Sequence, residues 1–212
     1  MLKLIVFDCD GVMFDSQKAN RMFYNHLLEH FGLAEMNEEE QHFVHIHNVI
    51  RSVQHIFRHY PQPTLEEVHN YRLTCDYAPY LQYMTMEPDL IAFLEATVKS
   101  YHLAISTNRT NTMLPLLKSF EIEKYFEKVV TAATAKRPKP APDGMLEILE
   151  HFGCQPEQAV FIGDSIVDQQ HATSCNVPLI AFRNTDLKAQ YHVNSFLEIL
   201  SLPIFSQKAT RE

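Results

Sequence analysis

The chain has 212 residues, 46% of them hydrophobic, enough to bury one full core and a small accessory unit. Its formal charge is -8, from 18 Lys+Arg against 26 Asp+Glu. That balance excludes nucleic acid and anionic membrane as bulk partners, because both demand a basic footprint; an anionic small ligand must be met by positive charge placed locally.

Residues 2–7 hold five apolar side chains in six positions and predict a short buried strand. The strand delivers two acids, Asp8 and Asp10, at its C-terminal end, with Gly11 next and Asp15-Ser16 leading into a helical pattern. The apolar run is too short for the core of a signal peptide, and no other run approaches membrane-spanning length, so a cytoplasmic protein is expected. Cys9, Cys75, Cys154 and Cys175 lie far apart with no CxxC pair, which favours free thiols over a disulfide frame or zinc.

From Gln17 to about residue 86 the pattern is helical. Met22, Phe23, Leu27, Leu28 and Phe31 make one apolar face, ended by Gly32. Asn37 can cap a second helix, expected to run from Glu38 through Phe43, Ile46, Ile50, Val53 and Phe57 until Pro61 stops it. Thr64, with Glu67 three residues on, offers a capping box for a third helix through Val68, Tyr71 and Leu73 towards Leu81. These helices predict a cap domain over residues 16–86, inserted into a core made of 1–15 and 87–212.

Beyond the cap, helix and strand alternate in the manner of a parallel sheet. A helix over 88–100 leads to a strand over 101–106 and the polar turn Thr107-Asn108-Arg109. A helix over 113–120, a strand over 128–131 and an extended loop over 138–142 follow. A helix over 143–152 then leads to a strand over 159–162, which ends in Gly163-Asp164-Ser165. A helix to Cys175, a strand over 178–182 and a short helix over 196–200 complete the pattern. The expected fold class is α/β: a Rossmann-like doubly wound parallel sheet with an inserted all-helical cap domain.

Four polar clusters lie on loops that leave strand ends or join strand to helix: Asp8/Asp10, Thr107/Asn108, Lys139 and Asp164/Asp168. An isolated acid at a strand end serves as well for a helix cap or a turn. In a doubly wound sheet, however, these ends converge on one crevice, and four clusters there outweigh the separate bland readings. Pro138 and Pro140 stiffen the backbone on either side of Lys139. Acids, a fixed lysine and a hydroxyl beside an amide suggest metal-assisted phosphoryl chemistry.

The sequence resembles the haloacid dehalogenase-like hydrolases, in the branch with a helical cap inserted after the first motif. DCDGVMFDS is similar to that family's first motif, ISTNRT to its second, RPKPAPD to its third and GDSIVD to its fourth. The likeness is closest to phosphoglycolate-phosphatase-like and β-phosphoglucomutase-like members. Cys9 and Cys175-Asn176 depart from the pattern, the latter where a small residue and glycine are frequent, although Asn tolerates the left-handed conformation.

The resemblance implies that Asp8 attacks phosphorus to form an aspartyl-phosphate, and that Asp10 protonates the leaving alkoxide and then activates water. It implies Mg²⁺ held by Asp8, the Asp10 backbone carbonyl and Asp164, with Asp168 supporting that set from behind, and phosphate oxygens held by Thr107, Asn108 and Lys139. Dehalogenases of the family lack the second acid, so Asp10 favours phosphoryl transfer. The expected protein is a Mg²⁺-dependent phosphatase for a small phosphorylated metabolite, acting as a monomer or weak dimer. A sugar-phosphate mutase of the β-phosphoglucomutase type is the alternative, and a non-catalytic binding module a further one. In the cap, His55 and His59 stand four apart, and His42, His45 and His47 crowd one segment; these histidines are expected to be solvated or partly buried. Arg51 or His47 is expected to reach the far end of the substrate.

Overall fold

The computed structural model describes residues 1–47 and 49–205. The chain divides into two compact units, one built from Met1–Asp15 and the chain from Met86 onward, the other from Ser16–Thr85.

The first unit is organised on β1, Leu4–Phe7, whose four residues are all fully buried. Two-residue strands, β2 at Phe14–Asp15 and β3 at Thr85–Met86, flank the two chain crossings. The remaining strands are β4 (His102–Ser106), β5 (Lys128–Val130), β6 (Ala159–Gly163), β7 (Leu179–Phe182) and β8 (Tyr191–Val193). They form a six-stranded parallel sheet in the order β5-β4-β1-β6-β7-β8. Leu4 is in register with His102 on one side and Ala159 on the other. The order reverses at β1, so the chain leaving Phe7 enters the crevice where α/β folds hold ligands.

Both faces of the sheet are covered, which is why β1 reads as a continuous apolar run. Leu4 and Val6 share a cluster with Phe161, Met145, Ile148 and Ala172. Phe7 meets Phe93, Phe126 and Phe196, with ring centroids 5.6–6.1 Å apart. The helices are α5 (Leu90–Thr97), α6 (Met113–Ser119), α7 (Asp143–Phe152), α8 (Ile166–Ser174) and α9 (Phe196–Ile199), after α1–α4 of the other unit. β8 was not expected from the sequence, being a three-residue edge strand with one buried position. Asn176 takes φ 54 just past α8, the left-handed conformation foreseen for it.

The second unit holds α1 (Gln17–His30), α2 (Glu38–Ile46), α3 (Val49–Ile56), α4 (Leu65–Thr74) and a 3₁₀ turn at Ala78–Tyr83. Asn37 caps α2 as expected and closes a capping box with Glu40, and Thr64 forms the capping box expected with Glu67. The long second helix expected from the sequence is instead two helices. His47 is extended at φ -115, ψ 156, and its ring Nδ1 lies 2.9 Å from the Phe43 carbonyl, the acceptor that a continuing helix would have given to the His47 N–H. The apolar periodicity survives the break because Val44 before it and Val53 and Ile56 after it enter the same core, with Leu27, Leu28 and Val68. The third helix is also shorter than expected, since Cys75 is extended and the Asp76 carboxylate accepts from Ala78 N–H. No helix among the described residues is long and apolar enough to cross a membrane, and the four cysteines are free thiols.

Candidate active site

Lys139 is the hinge of the polar cluster at the C-terminal ends of β1 and β6. Its ammonium lies 2.7 Å from Asp8 Oδ1 and 2.6 Å from Asp168 Oδ1, with the side chain 4% exposed. Burial works against the lysine's charge, but Asp168 and Asp8 outweigh it and hold Lys139 above its ordinary range. Asp168 is fully buried and spends both oxygens: Oδ1 on Lys139, Oδ2 on the Ser165 hydroxyl at 2.6 Å and the backbone N–H groups of Ser165 and Asp164. Despite burial, Lys139 and Ser165 keep Asp168 below the usual carboxylate range. It is therefore a brace that fixes Lys139 and the Asp164 turn.

Asp8 and Asp164 are in the opposite state. Burial, then the charge of Asp168, pushes Asp8 up to about 7 against the pull of Lys139. Burial, then Asp8, pushes Asp164 up to about 8. One lysine does not balance three acids whose oxygens lie within 4.8 Å of one another. Gly11 supplies the room for this crowding: at φ 80, a Cβ there would sit 2.1 Å from Asp164 Oδ2. Asn184 fixes the turn from the far side by donating to the Asp164 carbonyl at 2.7 Å. Hard oxygen donors with uncompensated negative charge, drawn together where Gly11 lacks a side chain, fit a divalent cation of the Mg²⁺ type.

Asp10 is held elsewhere than beside Lys139. Arg109 donates to both of its oxygens, Nε at 2.8 Å and Nη2 at 2.6 Å, from a side chain 7% exposed. Thr107 is buried at the end of β4, and its hydroxyl oxygen accepts from the Arg109 N–H, leaving its own proton to donate. Asn108 turns its amide N–H to the Lys139 carbonyl at 3.1 Å, so the second loop props the third, while its Oδ1 is buried without a hydrogen-bond partner among the described residues.

Sequence reasoning missed two members of this network. Arg109 sits directly after Thr107-Asn108, and the same argument from converging strand ends would have included it. His171 gave no such signal. It is fully buried, its Nδ1–H donates to the Ala141 carbonyl at 2.7 Å, and its Nε2 accepts from the Ser106 hydroxyl at 3.0 Å. Burial, with Lys139 adding to it, lowers His171 to about 4, so it is a neutral strut joining the ends of β4, the Lys139 loop and α8.

In the helical unit, Phe43 is stacked between His47 and His55, with centroids 3.8 and 3.7 Å away. These three line a concavity of about 410 Å³ with Arg51 and Gln54. His42 and His59 are exposed, and His45 is partly buried.

The chain matches the family described as haloacid dehalogenase-like hydrolase over residues 5–182. It is 36% identical over 93 residues to phosphoglycolate phosphatase of Escherichia coli (strain K12), a match covering 43% of this chain and 36% of that enzyme; the chain thus aligns with about a third of the length of that relative. A HAD-superfamily hydrolase of subfamily IA, variant 1, from Geobacter sulfurreducens PCA superposes with a TM-score of 0.82 at 33% identity, covering 97% of each chain. A β-phosphoglucomutase from Clostridium difficile shares the fold, with a TM-score of 0.74 at 19% identity over 94% of this chain and 93% of its own. With the family match spanning β1 to β7 and a full-length structural relative at 33% identity, the chain belongs to the haloacid dehalogenase-like hydrolases.

Proposed function

We propose that the protein is a Mg²⁺-dependent phosphatase that hydrolyses small organic phosphate monoesters through an aspartyl-phosphate on Asp8. The observation that carries this reading is Lys139, a buried cation pinned between Asp8 and Asp168 beside a further acid, Asp164. A dianionic phosphoryl group repels a carboxylate nucleophile, so cleavage needs fixed positive charge next to that nucleophile, and Lys139 is built in at hydrogen-bond distance.

Asp8 attacks phosphorus as its carboxylate; the P–O bond to the alkoxide breaks, and Asp10 gives that alkoxide its proton. Asp10 then takes a proton from water, whose oxygen attacks phosphorus, and Asp8 departs as a carboxylate with phosphate released. Lys139 Nζ and the Thr107 hydroxyl hold phosphoryl oxygens, and Asn108 serves by fixing Lys139. Asp8, the Asp10 carbonyl and Asp164 would hold Mg²⁺, which supplies charge neutralisation of the phosphoryl group. Asp168 keeps Lys139 and the Asp164 turn in place.

The curated relative's name supports a phosphatase, with a phosphorylated metabolite as the partner. The chain's charge of -8 and its free thiols support a cytoplasmic enzyme that engages neither nucleic acid nor membrane, and we take it to act as a monomer or weak dimer. A mutase is the second reading, favoured by the fold shared with β-phosphoglucomutase; it would pass the phosphoryl group from Asp8 to a sugar hydroxyl.

The test is a panel of metabolite phosphates assayed with and without Mg²⁺, with Asp10→Asn and Asp8→Asn alongside. Free phosphate should appear only with Mg²⁺. With nitrophenyl phosphate, Asp10→Asn should release about one equivalent of nitrophenol per site and stall, because that leaving group needs no proton while the intermediate still needs a base. Steady turnover by Asp8→Asn would refute the nucleophile, and isomerised sugar phosphate without net phosphate release would favour the mutase.

A further inference from the structure

Asp164 is placed by its backbone. Its N–H donates to Asp168 Oδ2 at 3.3 Å and its carbonyl accepts from the Asn184 amide at 2.7 Å, so the peptide groups on both sides of the residue are held. Asp168 takes its own place from Lys139 and Ser165. Asn184 has to be placed as well.

β7 ends at Phe182, and Arg183, the one residue between it and Asn184, takes φ 51. That is the left-handed region, where a side chain other than glycine is strained and persists only when its surroundings overdetermine it. The surroundings of Arg183 do so. Its N–H donates to the Val193 carbonyl at 2.8 Å, Nε to the Asn194 carbonyl at 2.9 Å and Nη1 to Glu87 Oε1 at 2.6 Å, while the guanidinium carbon lies 5.2 Å from the centre of the Phe182 ring. The arginine is half-exposed, but Glu87 is anchored: its side chain is 7% exposed and its N–H donates to the Met13 carbonyl, in the loop that follows Asp8 and Asp10. The left-handed step bends the chain as it leaves β7, and Asn184 meets the turn at the end of β6. There its Oδ1 accepts from the Asp186 N–H at 3.0 Å, which orients the amide so that its N–H faces Asp164.

We propose that Arg183, clamped on Glu87, is a positioning residue for the metal site: it fixes the left-handed turn that directs Asn184 to the Asp164 carbonyl, and through it sets how tightly Asp164 holds Mg²⁺. The inference rests on the metal placement in the reading above. Arg183 acts through Asn184 alone. With the clamp gone, the Asp164 turn loses the support on its carbonyl side and its carboxylate is no longer held to one orientation. Groups behind a metal ligand act in this way on affinity, more than on the chemistry once the metal is bound.

The test is a Mg²⁺ titration of the intact chain followed by its thermal midpoint, with kcat for nitrophenyl phosphate measured at saturating Mg²⁺ alongside. Arg183→Gly adopts φ 51 freely but lacks the guanidinium, so its turn is allowed but no longer held. Its dissociation constant for Mg²⁺ should rise by about tenfold, with kcat at saturating Mg²⁺ within about twofold of the parent. Arg183→Lys keeps a cation for Glu87 and should recover part of the loss. Asn184→Ala should weaken Mg²⁺ at least as much as Arg183→Gly, and the two changes together should be no worse than Asn184→Ala alone. Losses that add in the double variant would overturn the inference, because Arg183 would then be stabilising the core by another route. An unchanged Mg²⁺ constant in Arg183→Gly would overturn it as well. Should Arg183→Gly not fold, Glu87→Gln, which keeps the shape of the anchor without its charge, carries the same comparison with Asn184→Ala. If Asp164→Asn binds Mg²⁺ as tightly as the parent, it is the metal placement that fails, and this inference falls with it.

Discussion

The core and the helical unit bury polar groups by opposite means. At the end of β1, charges are packed against charges: Lys139 between Asp8 and Asp168, Arg109 on Asp10. In the helical unit, imidazoles are laid flat on an aromatic ring, His47 and His55 on Phe43. There, His55 Nε2 and His69 Nδ1 are buried without hydrogen-bond partners among the described residues, and burial lowers both histidines, which favours the neutral ring. A neutral ring loses less by a missing partner than a buried ion does. A lost contact should therefore spread through the core cluster and stay local in the helical unit.

Lys139→Met tests the first half of that contrast and should have the largest effect. It strands Asp8 and Asp168 in the interior, so a loss of about 3–5 kcal/mol of stability is expected, with phosphate release down by about a hundredfold or more. Urea unfolding with activity assays would check both. Lys136, on the exposed side of the same loop, is the control; an equal loss in Lys136→Met would break the comparison.

The next expectation concerns pH. Asp8 and Asp164 are raised to about 7 and about 8, so the metal-free folded chain still sheds protons in a range where ordinary carboxylates have long lost theirs. The folded state binds more protons than the unfolded one there, and stability falls as pH rises towards 8. His171, lowered to about 4, contributes stability that rises with pH, but that contribution is complete once pH passes its ordinary value of 6.5. Mg²⁺ competes with the same protons. The gain in thermal midpoint from Mg²⁺ should therefore exceed its pH 6 value at pH 8, by roughly 3–5 °C. An equal gain at both pH values would mean that these acids do not hold the metal.

The smallest expected effect lies in the helical unit. Thr64→Ala removes the hydroxyl that accepts from Glu67 N–H and should cost about 1 kcal/mol, with kcat/KM for an alkyl phosphate unchanged. A collapse of activity in that variant would show that local losses do spread from the helices.

What could be read from the sequence follows the same division between local and remote contacts. β1 was legible because burial on both faces leaves an unbroken apolar run, and the caps at Asn37 and Thr64 were legible because each box closes over three residues. The break at His47 was not, since the residues on either side keep one apolar period and the cause is a single ring nitrogen on a carbonyl. At the site, the acids and Lys139 could be placed by strand ends. The pairing of Arg109 with Asp10 spans 99 positions and that of His171 with Ser106 spans 65, and no local pattern encodes either.

The position of β1 has a consequence for how the protein is made. β1 is the central strand of its sheet, yet its neighbours β4 and β6 are synthesised about a hundred and about 155 residues later. The ties of the helical unit close over far shorter spans, three residues at Thr64–Glu67 and ten at Asn25–Glu35. That unit can finish on the ribosome while the strand carrying Asp8 waits with both edges unpaired. Asp8 acquires Lys139 and the Asp164 turn only when translation has passed Asp168, so the nascent chain carries no assembled site until most of the core exists.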